Sequence, residues 1–359
     1  MAQTNLVTRV RWEIARAFSF PPLAFPPLPV EEGADAKSIG GVRAVLALSG
    51  GADSLCLTHS VIVLAPQLHL QPVIAHLNHG IRGAAADADA DFVQAFAAQH
   101  GVPCYSEKAN VPKLAEEMNL SLETAARMAR YDFLMRAADQ HEAKIVAVAH
   151  HADDQAETVL HRLIRGTGLA GLRGMAAHSP MPGAPHLTLL RPLLRFGRKE
   201  IEQYCADCGL QPRHDATNDD LAHTRNRIRH ELLPQLEQYN LGIRAVLARL
   251  ADSATTDFEI IEYATQQAFS LVATQTEANV ITFDRAAWRN LPVGLQRATL
   301  RQAVSQLRGY LTDLKFSAIE EARDVLTSDA TTGEIALLAD VRVGVAVQKF
   351  VVRKIVNGD

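Results

Sequence analysis

The sequence predicts an α/β fold: a mostly parallel sheet with crossover helices, followed by a smaller, mostly helical region that ends in short strands. Three observations predict it. From Arg43 to Ala149, short apolar runs alternate with longer helical stretches, a pattern that requires parallel strands joined by crossovers. Polar clusters follow the strands directly, at the carboxyl ends where such sheets place their ligands. Beyond Leu233-Pro234 the alternation gives way to helices, and three strand-like runs close the chain.

Taken in order, Thr4 to Phe18 carries the pattern of a short amphipathic helix, which Phe20-Pro21-Pro22 and the prolines up to Pro29 cannot continue. Residues 1–40 read as an N-terminal extension without chemistry of its own. Val42 to Leu48 is a buried strand, and Leu55 to Leu64 a helix packed on it. Pro72 to Leu77 is a second strand, Ala88 to His100 a helix, Pro103 to Glu107 a third strand, Leu122 to Ala138 a long helix, and Lys144 to Ala149 a further buried strand. Residues 41–235 form the expected catalytic domain. Residues 236–359 form a C-terminal region, with helices at Asn240 to Leu271, Leu295 to Leu307 and Phe316 to Leu326, and strands at Val280 to Phe283, Glu334 to Leu338, Val341 to Val345 and Lys349 to Val352.

At 359 residues, 48% hydrophobic and 21% charged, the chain is ordinary globular protein with room for two or three cores. Cys56, Cys104, Cys205 and Cys208 are too few and too scattered for a disulfide framework, so a reducing, cytoplasmic setting is expected. No apolar run reaches the roughly 18 residues of a membrane span, and no signal peptide is legible. The net charge of −4 does not advertise nucleic-acid binding, so any RNA must find a local basic face.

The turn between the first strand and helix, Ser49-Gly50-Gly51-Ala52-Asp53-Ser54, organises the rest. Glycine lets the backbone approach a ligand, and the amides opening the following helix suit an anion. The turn is neither a Walker-type loop nor Gly-x-Gly-x-x-Gly, and it contains no lysine. Holding pyrophosphate through amides and hydroxyls, with Asp53 available to a magnesium ion, suits cleavage of ATP between its α- and β-phosphates. Ser-Gly-Gly-x-Asp-Ser resembles the pyrophosphate loop of the N-type ATP pyrophosphatases, which activate a carbonyl oxygen as its adenylate and displace AMP with a nucleophile.

Three further clusters invite inspection: His76-Leu77-Asn78-His79-Gly80-Ile81-Arg82-Gly83 after the second strand, Glu123 to Tyr131 on the long helix, and His150-His151-Ala152-Asp153-Asp154-Gln155-Ala156-Glu157-Thr158 after the last strand. Glu123, Arg127 and Arg130 share a helix face by spacing. Taken singly, each has a plain alternative: His76 as a core histidine, Asp153 or Asp154 as a helix cap, Arg127 with Glu123 as a solvated pair. Together at strand ends they describe one site.

With Arg165-Gly166-Thr167-Gly168, Arg191-Pro192-Leu193-Leu194, Asp215-Ala216-Thr217-Asn218 and Arg225-Asn226-Arg227-Ile228-Arg229, these runs resemble the tRNA(Ile)-lysidine synthase family across residues 43 to about 235. The resemblance implies a Rossmann-like sheet of the adenine nucleotide alpha hydrolase kind. It also implies ligation of L-lysine to C2 of the wobble cytidine in the CAU anticodon of tRNA(Ile), through an adenylated intermediate with release of pyrophosphate and AMP. On it, Ser49, Gly50, Gly51, Ala52, Asp53, Ser54 and His79 hold ATP, and Asp53 draws Mg2+. Arg127 neutralises the phosphoryl group or positions the cytidine. Asp154 contacts lysine, and His150, Asp154 and Glu157 are candidates to take the amine proton. Arg162, Arg165, Arg173, Arg191, Arg195, Arg198, Lys199, Arg225, Arg227 and Arg229 offer a basic rim for tRNA, and assembly as a homodimer is left open.

The chain departs from the family at His223, where a tyrosine is usual, and at Cys205-Ala206-Asp207-Cys208, read as two helix residues, one of them buried. Three rivals remain: a tRNA thiolase or another amidating pyrophosphatase, which would show more cysteines or a glutaminase domain; a metal-dependent phosphoesterase built on His150, His151, Asp153 and Asp154; and a nucleotide-sensing or RNA-binding module indifferent to Asp53.

Overall fold

A computed structural model describes residues 6–19, 41–213, 224–311 and 313–355. Phe20 to Gly40, Asp215 to Asn218 and His223 lie outside the described residues. The chain divides into two compact units, Met1–Thr255 and Thr256–Asp359.

The first unit opens with α1 (Leu6–Ser19), followed by β1 (Val42–Ala47), α2 (Ala52–Leu64), β2 (Leu70–Asn78), α3 (Ala84–Gln99) and β3 (Cys104–Lys108). Next come α4 (Val111–Glu117), α5 (Leu122–Gln140), β4 (Ile145–Ala147), α6 (Ala152–Ile164) and α7 (Leu169–Leu172). A hairpin of β5 (His178–Met181) and β6 (Ala184–Leu190) leads to α8 (Arg198–Asp207), α9 (Thr224–Arg227), a π-helical turn at Ile228–Leu232 and α10 (Leu233–Tyr239). The long α11 (Ile243–Val272) contains the boundary between the units.

The six strands lie in the order β3-β2-β1-β4-β6-β5, and all pairings are parallel except that of β5 with β6. The expected parallel sheet is therefore present, with one antiparallel edge. Sequence reading missed both strands of the β5–β6 hairpin, because Pro180 and the Pro182-Gly183 turn make the segment look like loop. Proline is tolerated there because β5 is an edge strand, and Gly183 supplies the positive φ, 79°, of the hairpin turn.

Strand periodicity sorts the core. On β1, Ala44 and Leu46 join Leu57 and Val61 of α2 and Ile201 and Tyr204 of α8 on one face, while Val45 packs against Phe133, Leu134 and Ala137 of α5 on the other. Helix α1 belongs to the first of these layers. Its Val10, Ile14 and Phe18, four residues apart, are buried there, a burial worth roughly 1.5–3 kcal/mol per side chain.

The chain runs β1 to β2 to β3 toward one edge and then returns to place β4 on the other side of β1. The pair β1 and β4 is thus where the strand order reverses, with Leu46 opposite Ala147. Two loops about 100 residues apart in sequence leave the sheet side by side, at the place where open α/β sheets bind ligands.

The second unit has a five-stranded antiparallel sheet, ordered β7-β8-β11-β10-β9, formed by β7 (Ala273–Thr276), β8 (Val280–Asp284), β9 (Gly333–Leu338), β10 (Val341–Val345) and β11 (Lys349–Lys354). Between β8 and β9 run α12 (Arg285–Arg289), α13 (Val293–Arg308) and α14 (Phe316–Thr327). Trp288, Phe283, Phe350, Leu300 and Ile319 form its core. Buried Arg285 donates to the carbonyls of Leu326, Ala330, Ala346, Val325 and Ser328, tying the end of α14 to the sheet.

Candidate active site

The turn after β1 is held open by its own side chains. Ser54 Oγ accepts from the Ser49 amide at 3.1 Å and donates to the Gly51 carbonyl at 3.0 Å, with Ser49 Oγ 3.1 Å away. Gly50 has φ 93°, a conformation costly to any residue bearing a Cβ, and its carbonyl accepts from the Arg213 amide at 3.0 Å. Gly51 caps α2 without a side chain, so the first amides of that helix are left for a ligand.

Asp53 lies in the first turn of α2. Its Oδ1 is buried without a hydrogen-bond partner, and its Oδ2 is 3.8 Å from both His151 Nε2 and Arg198 Nη1. Burial raises its pKa above the usual carboxylate value, against the pull of His151 and Arg198.

Across the sheet's switch point, His151 caps α6. Its Nδ1 accepts from the Asp153 amide at 3.2 Å, while Asp154 Oδ2 accepts from the His151 amide at 3.0 Å, closing a capping box. An Nδ1 that accepts leaves the proton on Nε2, which faces Asp53 and, at 3.5 Å, Asp154 Oδ2. Burial alone would raise the pKa of Asp154. The His151 and His150 imidazoles and the His151 amide overcome that and hold it below its ordinary value. His150 precedes the helix with Nδ1 buried and unpartnered, and burial keeps its ring neutral.

Glu157 is completely buried one turn further on. Its carboxylate accepts from Arg229 Nε at 2.5 Å, Arg229 Nη2 at 3.1 Å and Arg225 Nε at 3.3 Å, while Arg229 Nη2 also reaches Asp154 Oδ1 at 3.2 Å. The strand-end cluster and the Arg225–Arg229 run are thereby joined across about 70 residues of sequence.

The cluster after β2 closes the other flank. His76, buried, contacts the Leu48 carbonyl through Nδ1 at 2.9 Å, so it is a core histidine that also borders the cavity. The pKa of His79 is lowered to about 4 by burial, with Arg130, His76 and Arg82 adding to it. Gly80 is required, since a Cβ there would lie 2.5 Å from the Ala109 carbonyl oxygen.

These groups line one cleft of about 970 Å3. Of the residues singled out in the sequence, Ser49, Gly51, Ala52, Asp53, Ser54, His79, His150, Asp154 and Glu157 border it. Gly50 shapes the loop behind it. Arg127 does not line the cleft; it is exposed, with its guanidinium 4.9 Å from the ring centre of Tyr131, and Arg130 on the same helix borders the cavity instead.

Sequence reading gave no nucleotide-site role to Arg198, Glu202, Arg213 or Arg244, which also line the cleft. No local motif points at them, because they arrive from later elements. The expected basic rim is narrower than the sequence suggested. Arg162, Arg173 and Arg191 donate to the backbone carbonyls of Gly171 and Gly174, Ala170, and Ala176, while Arg225 and Arg229 face Glu157. Arg165, Arg195, Arg198, Lys199 and Arg227 remain exposed.

Cys205 is buried, with Sγ 3.5 Å from the Ala52 carbonyl, and burial pushes its thiol up to about 12; Cys208 is half-buried at the end of α8. Among the described residues no group of three or more His, Cys, Asp or Glu side chains is placed to hold a metal ion. No described helix is long and apolar enough to cross a membrane.

Residues 33–236 match the PP-loop domain family. A tRNA(Ile)-lysidine synthase of Geobacter sulfurreducens is 40% identical over 303 residues, covering 84% of this chain and 63% of that protein. One of Dehalococcoides mccartyi is 36% identical, covering 82% and 62%. The chain thus spans about three fifths of the length of these curated relatives. Among solved structures, the U34-tRNA thiolase NcsA of Methanococcus maripaludis, with its [4Fe-4S] cluster, superposes with a TM-score of 0.52 at 16% identity, over 69% of this chain and 78% of that one, a likeness of fold. The matched residues contain both loops at the β1/β4 switch point, and the chain belongs to the PP-loop domain family.

Proposed function

We propose that the chain ligates L-lysine to C2 of the wobble cytidine in the CAU anticodon of tRNA(Ile), consuming ATP and releasing pyrophosphate and AMP. One observation carries this reading. The lysine-free Ser49–Ser54 turn and the acidic, histidine-bearing start of α6 face one cleft, in a chain whose relatives named tRNA(Ile)-lysidine synthase match over 84% and 82% of its length.

Cytosine O2 cannot leave as oxide. In the first step it attacks the α-phosphorus of ATP, and the bond to pyrophosphate breaks. The amides of the α2 N-terminus and the Ser49 and Ser54 hydroxyls bind the departing pyrophosphate. The buried, unpartnered Oδ1 of Asp53 fits a magnesium ion, which would supply charge neutralisation for the phosphates.

In the second step the lysine ε-amine attacks C2, and the C–O bond to AMP breaks. Asp154, with its pKa held below the ordinary carboxylate value, recognises the arriving ammonium. The unpartnered Nδ1 of neutral His150 receives the proton that the nitrogen must lose. Glu157 is already engaged by two guanidinium groups and acts as their anchor.

The sulfur-transfer alternative is disfavoured by the thiols, since Cys56 and Cys205 are buried and have their pKa values raised chiefly by burial. Product analysis tests the reading. With ATP, magnesium, lysine and CAU-bearing tRNA(Ile), AMP and pyrophosphate should form only when the tRNA is present; ADP and orthophosphate would contradict it.

A further inference from the structure

A triphosphate brings about four negative charges to a turn that contains no cation, so another element must supply one. Among the described residues, six guanidinium groups line the cleft, and four of them are engaged elsewhere; of the other two, Arg130 on α5 and Arg198 on α8, it is Arg198 that is paired with Asp53 of the turn. Arg82 and Arg213 share the buried carboxylate of Asp89. Arg229 is held by Glu157 and Asp154, and Arg244 by Glu237 and Asp153.

Arg198 differs. It is the first residue of α8, and its Nη1 stands 3.8 Å from Asp53 Oδ2 over the mouth of the turn. Its second partner, Glu202 at 3.0 Å, is an exposed i,i+4 carboxylate, and such pairs are weak. The base of α8 is nevertheless fixed against α2. Tyr204 Oη lies 3.0 Å from His59 Nδ1, Cys205 Sγ contacts the Ala52 carbonyl, and Ile201 is buried in the same layer. A weakly held cation on a fixed helix thus faces Asp53, the carboxylate assigned above to magnesium.

We infer that Arg198 is the counter-ion that the lysine-free turn lacks: it binds the β- and γ-phosphates of ATP, and then pyrophosphate, through its forked donors, leaving Asp53 when nucleotide arrives. This inference rests on the function proposed above. The forked geometry favours phosphate over a point contact.

Calorimetric titration of the whole chain with α,β-methylene ATP, inorganic pyrophosphate and AMP tests it without turnover. Arg198→Ala should weaken the analogue and pyrophosphate about 10- to 100-fold, as expected for a lost charged hydrogen bond, and leave AMP within about twofold. The loss should persist in an Asp53→Asn background. Unchanged pyrophosphate binding, an equal loss for AMP, or a loss that vanishes in that background would overturn the assignment. Should Arg198→Ala fail to fold, Arg198→Lys decides: weaker pyrophosphate binding supports the forked contact, and wild-type binding overturns it. If the wild-type chain binds neither analogue nor pyrophosphate, the proposed function fails as well; if only the variants are unaffected, the Arg198 assignment fails alone.

Discussion

His151 Nε2 stands 3.8 Å from Asp53 Oδ2, so the residue that caps α6 also faces the carboxylate in the first turn of α2. Two helix N-termini are thereby linked through one imidazole. Cap and link can be separated by substitution. Asparagine is a good N-cap, so His151→Asn should keep stability within about 0.5 kcal/mol, whereas His151→Ala should lose about 1 kcal/mol. Both should slow AMP formation, because neither reaches Asp53. Thermal melts and AMP release measured together check this, and a fully active His151→Asn would refute the link.

Glu157 is expected to act as an anchor. Glu157→Gln leaves Arg225 and Arg229 facing a neutral group and should destabilise the first unit by about 3 kcal/mol, the low end for breaking a buried pair, because both arginines reach water. The rate should fall without loss of the acid limb of the pH profile. Disappearance of that limb would make Glu157 a proton acceptor.

The pKa of His79 is lowered to about 4 chiefly by burial, from an ordinary value near 6.5. The unfolded chain therefore binds a proton that the folded chain refuses between about pH 6.5 and 4, and stability falls as pH drops through that window. The full effect is about 3 kcal/mol, from 1.36 kcal/mol per unit. Denaturant titrations at pH 7.5 and 4.5 should show a smaller acid-induced loss for His79→Gln than for the wild type. An equal loss would place the sensitivity elsewhere.

Much of this was legible in the sequence, for local reasons. The Ser49–Ser54 turn and the His150–Glu157 run are contiguous, each sits directly after an apolar strand, and alternation of strand and helix forces strand ends to one edge. Asp53, Asp154 and His79 therefore border the cleft, as the residues alone predicted. What was hidden depends on pairing between distant elements. Nothing near Glu157 in sequence indicates that Arg225 and Arg229 neutralise it, and nothing near Arg198 indicates that α8 packs on α2 with its first residue over Asp53. Arg127 shows what helix spacing leaves open. Its helix was read correctly, but the face turned to the cleft carries Arg130.

The most direct measurement of the central claim is lysine incorporation. Labelled lysine, ATP, magnesium and CAU-bearing tRNA(Ile) are incubated with the chain, the tRNA is digested, and the first anticodon nucleoside is identified by mass. Lysidine in amounts equal to the AMP released is the predicted result. An unmodified cytidine while ATP is consumed, or equal product from tRNA lacking the wobble cytidine, would contradict it.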